Sequence, residues 1–175
     1  MSQKLKDQTL SSEAQAAALG SRVTTGTHIT TSDLSDFDER IRRTINAAWE
    51  KKALNLTVLD LRDIASFTDY FVIASGTNRR QVQAISDEVV EQLKHSGTRG
   101  ARVEGYQTAE WILVDYGDFV VHVFDEKARR FYDLERLWRE AKRVDVWPPG
   151  SEVSNLKSEA LDQPERAAPR SLTDL

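Results

Sequence analysis

Apolar residues at Phe37, Ile41, Ile45 and Ala48 recur every three to four positions and predict a helix. Asp36 and Glu39 make its start acidic, which suits the free N–H groups and positive dipole end of a first turn. TVLDL at 57–61 and DYFVIAS at 69–75 are short, rich in β-branched and aromatic residues and separated by a polar stretch, so both predict strands. A second helix is the clearest element. Asn78 can cap it, Gln81 three residues on can complete a capping box, Val82, Ile85, Val89 and Leu93 form one apolar stripe, and Gly97 stops it. ARVEG at 101–105 predicts a short strand, and WILVD at 111–115 and FVVHVF at 119–124 predict two more, joined so closely by Tyr116-Gly117 that an antiparallel hairpin is the reasonable pairing. A last helix carries Leu134, Leu137 and Trp138. The order α-β-β-α-β-β-β-α predicts an α/β (α+β) fold, a mixed sheet of about five strands flanked by helices rather than an all-parallel sheet.

With Tyr116 and Gly117 as the two loop residues, Asp115 faces Asp118, Leu113 faces Val120 and Trp111 faces His122. Because side chains alternate along a strand, the two faces of the hairpin can be read separately. One carries Ile112, Val114, Phe119, Val121 and Val123, all apolar; the other carries Trp111, Leu113, Asp115, Val120, His122 and Phe124. Burying the second set would strand a carboxylate and an imidazole without partners, so the helices are expected on the first. The second then remains a sheet surface with an aromatic anchor, aliphatic neighbours and an acidic rim, the composition of a protein-binding patch. The competing reading is that Trp111 and Phe124 pack under the last helix or an arm, with Asp115 at an edge. A one-residue slip of register would exchange the faces.

Composition sets the bounds of the folded unit. Residues 1–34 are rich in Ser, Thr, Ala and Gln with almost no apolar periodicity, and 148–175 begins with Pro148-Pro149-Gly150 and continues as a polar mixture. Both are expected to be disordered arms, since such segments bury too little to offset an ordering cost of ~1 to 2 kcal/mol per residue. One domain of about 113 residues, 35–147, is left between them. The chain has no cysteine, and therefore no disulfide, thiolate metal site or cysteine nucleophile. It has no apolar run near the ~20 residues that span a bilayer and no apolar core behind a basic N-terminus, so a cytoplasmic protein without membrane attachment is expected. Its net charge of −4 gives no support to a broad nucleic-acid-binding surface.

Catalytic and ligand-binding patterns are weak. Ser75-Gly76-Thr77-Asn78-Arg79-Arg80 joins a strand to a helix and could hold an anion, but it lacks the GxxxxGK[ST] and GxGxxG spacings, and a capped turn is the plainer account. No acidic pair lies one residue apart on a predicted strand, as metal-dependent phosphoryl transfer commonly requires. His28, His95 and His122 have no zinc-site spacing, and there is no GxSxG elbow. His122 with Asp115 or Asp118 could form an acid/base couple, although a surface or interface histidine is the simpler reading. The pairs Arg42-Arg43, Arg79-Arg80 and Arg129-Arg130 could touch phosphates, but each sits among acidic neighbours. Neither a cofactor nor a metal is expected.

Three blocks, DLRDIASFTDYFVIASGTNRRQVQAISDEV, EGYQTAEWILVDYGDFVVHVF and RRFYDLERLW, together resemble the ribosomal silencing factor (RsfS, or Iojap-related) family from about Phe37 to Trp138, leaving both arms uncovered. The resemblance implies an α/β domain of nucleotidyltransferase-like topology that is not an enzyme. It implies a translation regulator that binds the large ribosomal subunit through ribosomal protein uL14, sterically blocks joining of the small subunit and represses translation when nutrients are short. The partner contact it implies falls on Trp111, Leu113, Asp115 and Tyr116, with His122 beside them. A homodimer off the ribosome is a further expectation, and direct sequence-specific nucleic-acid binding is not. The alternatives are a large-subunit assembly factor and a nucleotide-binding enzyme that uses the 75–80 turn with Asp115 or Asp118.

Overall fold

The computed structural model describes residues 27–29 and 31–151. The predicted first helix is α1 (Glu39–Glu50); Asp38 caps it, its carboxylate accepting from the N–H groups of Arg40 and Ile41, and Asp36 lies upstream in a 3-10 helix (Thr31–Asp36). The two β-rich runs become β2 (Leu54–Asp60) and β3 (Tyr70–Gly76), antiparallel to each other. α2 (Arg79–His95) begins at Asn78, whose side chain accepts from Gln81 N. The return bond reaches one residue further than a capping box, because Gln81 Oε1 accepts from Thr77 N at 2.7 Å. The amide nitrogen of Gln81 donates to the carbonyls of Lys51 and Lys52, tying the start of α2 to the end of α1.

β4 (Arg102–Glu104), β5 (Trp111–Asp115) and β6 (Phe119–Asp125) follow as an antiparallel set. The hairpin register differs from the expected one by two residues: Asp115 pairs with Val120, Leu113 with His122 and Trp111 with Phe124. The turn residues are Gly117 and Asp118, with Tyr116 N bonded to Phe119 O at 3.0 Å. Gly117 has φ +89°, the positive value that the first central residue of a primed turn demands, and this places the turn. A shift of two preserves parity, so the division of the hairpin into two faces stands.

The expected last helix is two short ones, α3 (Glu126–Tyr132) and α4 (Leu134–Leu137), because Asp133 between them is left-handed at φ +44°. Leu134 is buried and Trp138 half-buried, whereas Leu137 points outward at 71% exposure. Two strands were not expected. β7 (Lys142–Val146) pairs antiparallel with β2, burying Val144 and Val146 in alternation, and β1 (Thr27–Ile29) pairs parallel with β7 at the sheet edge. The sheet thus has seven mixed strands in the order β1-β7-β2-β3-β6-β5-β4. Residues 27–29 join the sheet and Leu34 is buried in the core, so order begins before the Ser35 boundary that composition suggested. The rest of the expected N-terminal arm, and the expected tail beyond 151, lie outside the described residues.

The sheet separates two cores. Under α1 and α2, Ile41, Ile45, Val82, Ile85, Val89 and Leu93 meet Val58, Val72, Ile112, Val114, Val121 and Val123. Behind the sheet, Leu59, Phe71, Ile73, Val120 and Phe124 meet Leu134 and Ala141. β3 is buried on both faces, which is why it reads as a nearly continuous apolar run rather than an alternating one.

Candidate partner-binding surface

Trp111, Leu113 and Asp115 project from β5 on the sheet face away from α1 and α2, and all three are only partly buried. This face is neither fully open nor sealed. α3 and α4 fold back over one side of it, so that Val120, His122 and Phe124 are buried at 8%, 4% and 1% exposure while the β5 residues form the margin. The two readings of this face each describe part of it.

Trp111 is held at that margin by its neighbours. Its ring stacks on Phe124 with centroids 4.9 Å apart and meets Tyr132 of α3 at 4.8 Å. Its Nε1–H donates to His122 Nδ1 at 3.2 Å. That bond requires a neutral His122 with its proton on Nε2, an atom that is buried and has no hydrogen-bond partner among the described residues. Burial in turn pushes the imidazole pKa from 6.5 down to about 4, so the neutral form holds at ordinary pH. Phe71 packs edge-on against the same imidazole at 4.5 Å. His122 is therefore not an exposed contact group; it is the support on which the indole is oriented.

Of the expected contact residues, the structure brings Trp111, Leu113, Asp115 and His122 to one face and separates Tyr116. Tyr116 packs on the opposite core, its ring stacked on Phe119 at 4.8 Å and its hydroxyl buried without a partner among the described residues, and burial pushes its pKa up to about 12. Asp115 accepts a hydrogen bond from Gly117 N at 2.7 Å. Asp118 is ion-paired with Arg40, whose guanidinium also lies over the Phe119 ring at 5.3 Å. The sequence reading missed Tyr132 and Phe124 as supports of the indole. Parity had already placed Phe124 on this face, whereas Tyr132 arrives through the fold-back of α3.

Much of the 75–80 turn is already engaged within the fold. Thr77 N is used by Gln81, Ser75 Oγ accepts from Arg129 at 2.9 Å, and Arg79 pairs with Glu110 at 3.3 Å. Among the described residues no group of three or more His, Cys, Asp or Glu is placed to hold a metal ion, and no helix is long and apolar enough to cross a membrane.

Fold and site together define a mixed-sheet α/β domain that presents a supported aromatic margin. Residues 35–172 match the family model described as "Ribosomal silencing factor during starvation", well past the Trp138 at which the three sequence blocks end. The chain belongs to the ribosomal silencing factor family. It is 39% identical over 108 residues to the ribosomal silencing factor RsfS of Halalkalibacterium halodurans, covering 62% of this chain and 92% of that one. It is 34% identical over 92 residues to the mouse protein named mitochondrial assembly of ribosomal large subunit protein 1, covering 51% of this chain and 40% of that one. A crystal structure of a Chromobacterium violaceum protein superposes with a TM-score of 0.56 at 36% identity, over 57% of this chain and 83% of the other.

Proposed function

We propose that this protein binds the large ribosomal subunit through ribosomal protein uL14 and keeps the small subunit from joining, thereby repressing translation in the cytoplasm. Family membership supports the ribosomal role. The observation that carries the surface assignment is the indole of Trp111, partly exposed yet fixed by His122, Phe124 and Tyr132. An aromatic anchor already ordered before binding loses little entropy on docking, which is the property of an interface hot spot. Leu113 and Asp115 extend the contact along the strand, and the helix-covered side supplies the bulk that would clash with the opposing subunit. No catalytic group is needed for steric exclusion.

The test is co-sedimentation with separated ribosomal subunits. Wild type associates with the large particle, and Trp111→Ala, with its fold checked by circular dichroism, binds about thirtyfold or more weakly, the scale of ~2 kcal/mol at a hot spot. Undiminished association of a folded Trp111→Ala protein refutes the assignment. The mouse relative's name favours a second reading, participation in large-subunit assembly, which would use the same contact on an immature particle.

A further inference from the structure

Apart from Tyr132, which supports the indole, the α3–α4 face takes no part in the contact proposed for the hairpin. Phe131 is 80% exposed, Leu137 71% and Tyr132 49%, an unusual concentration of apolar side chains in solvent within seven residues. They alternate with cations. Lys127, Arg130, Arg136 and Arg139 are all exposed, and neither Arg130 nor Arg139 has an ion-pair partner among the described residues. Between residues 126 and 143 the chain carries seven basic and four acidic residues, although the whole chain is net −4. An open groove of about 540 Å³ runs beside them, lined by Tyr132, Leu137 and Trp138, by Arg136 and Arg139, and by the carboxylates Asp133 and Glu140, with Arg136 ion-paired to Asp133.

We propose that this face is an RNA contact: its arginines engage phosphates of the large-subunit RNA and Phe131 offers a stacking plate for an unpaired base. The proposal rests on the ribosomal reading and extends it. Two observations select RNA as the occupant. The face abuts the hairpin surface, since Tyr132 touches both Trp111 at 4.8 Å and Phe131 at 5.1 Å, so whatever flanks the protein partner on the ribosome lies against it. Its charge is opposite to what a basic ribosomal protein or a second copy of the same basic strip would favour, and it suits phosphate. Exposed arginines on the same helical segment as an exposed aromatic ring are the elements of a sequence-tolerant RNA surface, in which each neutralised phosphate releases counterions and each stacked base adds contact without reading its edge.

The experiment measures affinity for salt-washed large ribosomal subunits across a series of monovalent salt concentrations, and for isolated uL14 in parallel. The double variant Arg130→Gln/Arg139→Gln lowers the magnitude of the slope of log K against log salt by about 1.5, near 0.7 to 0.9 for each lost phosphate contact. Phe131→Ala weakens subunit binding about tenfold with the slope unchanged. All three residues are exposed, so circular dichroism melts of the variants match wild type, and both variants bind isolated uL14 as wild type does. An unchanged slope in the double variant overturns the proposal. Equal losses on isolated uL14 overturn it in favour of a protein contact, and a shift in the protein's own sedimentation overturns it in favour of a copy-to-copy interface. Trp111→Ala, which loses both ligands together, separates this outcome from failure of the underlying reading.

Discussion

His122 links burial, protonation and surface geometry in one side chain. Its folded pKa, near 4, lies below the unfolded value of 6.5, so between those limits the unfolded chain binds more protons than the native one. Stability therefore rises with pH through that window and is fully present above about 6.5. A difference of that size contributes on the order of 3 kcal/mol. His122→Phe keeps an aromatic of similar bulk, removes the titration and leaves the Trp111 N–H without its acceptor. Urea denaturation of wild type and variant from pH 7 to pH 4 should show wild type losing stability more steeply, by that order. A difference between the two that does not vary with pH would refute the buried neutral imidazole. Below pH 5, carboxylates held low by their partners, Asp38 beside the α1 N–H groups and Asp60 beside Arg62, add their own acid sensitivity to both proteins.

At the scale of elements, the fold-back of α3 and α4 decides what the site looks like, and Arg129 holds it in place. Its guanidinium bonds Glu135 on α4, the Asn55 carbonyl on β2 at 2.5 Å and Ser75 Oγ on β3 at 2.9 Å, with the Arg129 and Glu135 side chains only 11% and 12% exposed. Removing one member of a buried pair leaves the other charge unpaired, so Arg129→Met should cost about 3 kcal/mol, while Arg129→Met/Glu135→Leu recovers most of it. Equilibrium urea unfolding of the two variants checks this; a double variant no more stable than the single one would contradict it. None of this was legible in the chain. Leu134, Leu137 and Trp138 have helical spacing, but one left-handed residue at Asp133 turns Leu137 outward, and periodicity does not register such a break. β7 had a period-two signal in Val144 and Val146 that its charged neighbours obscured, and β1 is an edge strand defined by its pairing. By contrast, α1 and α2 had stripes and caps of their own. The hairpin faces were legible because strand parity survived a two-residue error in register. The burial of His122 was not legible, since it depends on a segment ten residues downstream folding back.

On the scale of the whole molecule, α1 and α2 cover one side of the sheet and the partner-facing margin lies on the other, with different charges along it. At the hairpin end the acidic groups are Asp115 and Asp118, but Asp118 already shares its charge with Arg40 in an exposed pair worth at most ~1 kcal/mol of stability. Arg40 also pairs with Asp38, so Asp38, Arg40 and Asp118 together carry one net negative charge, which is unchanged when Arg40 and Asp118 are neutralised together, whereas Asp115 has no cationic partner among the described residues. Asparagine has nearly the same shape and keeps an oxygen for the Gly117 N–H, so Asp115→Asn removes the charge and leaves the turn intact. Stopped-flow association with isolated uL14 at low salt should be about two- to fivefold slower for Asp115→Asn, with dissociation little changed and the difference gone at high ionic strength. The double variant Arg40→Gln/Asp118→Asn, which deletes a neutral pair, should associate as wild type does. Equal slowing by the double variant would mean that local turn structure, rather than long-range charge, governs the encounter. A slowing by Asp115→Asn that persists in high salt would place Asp115 in the desolvated contact itself.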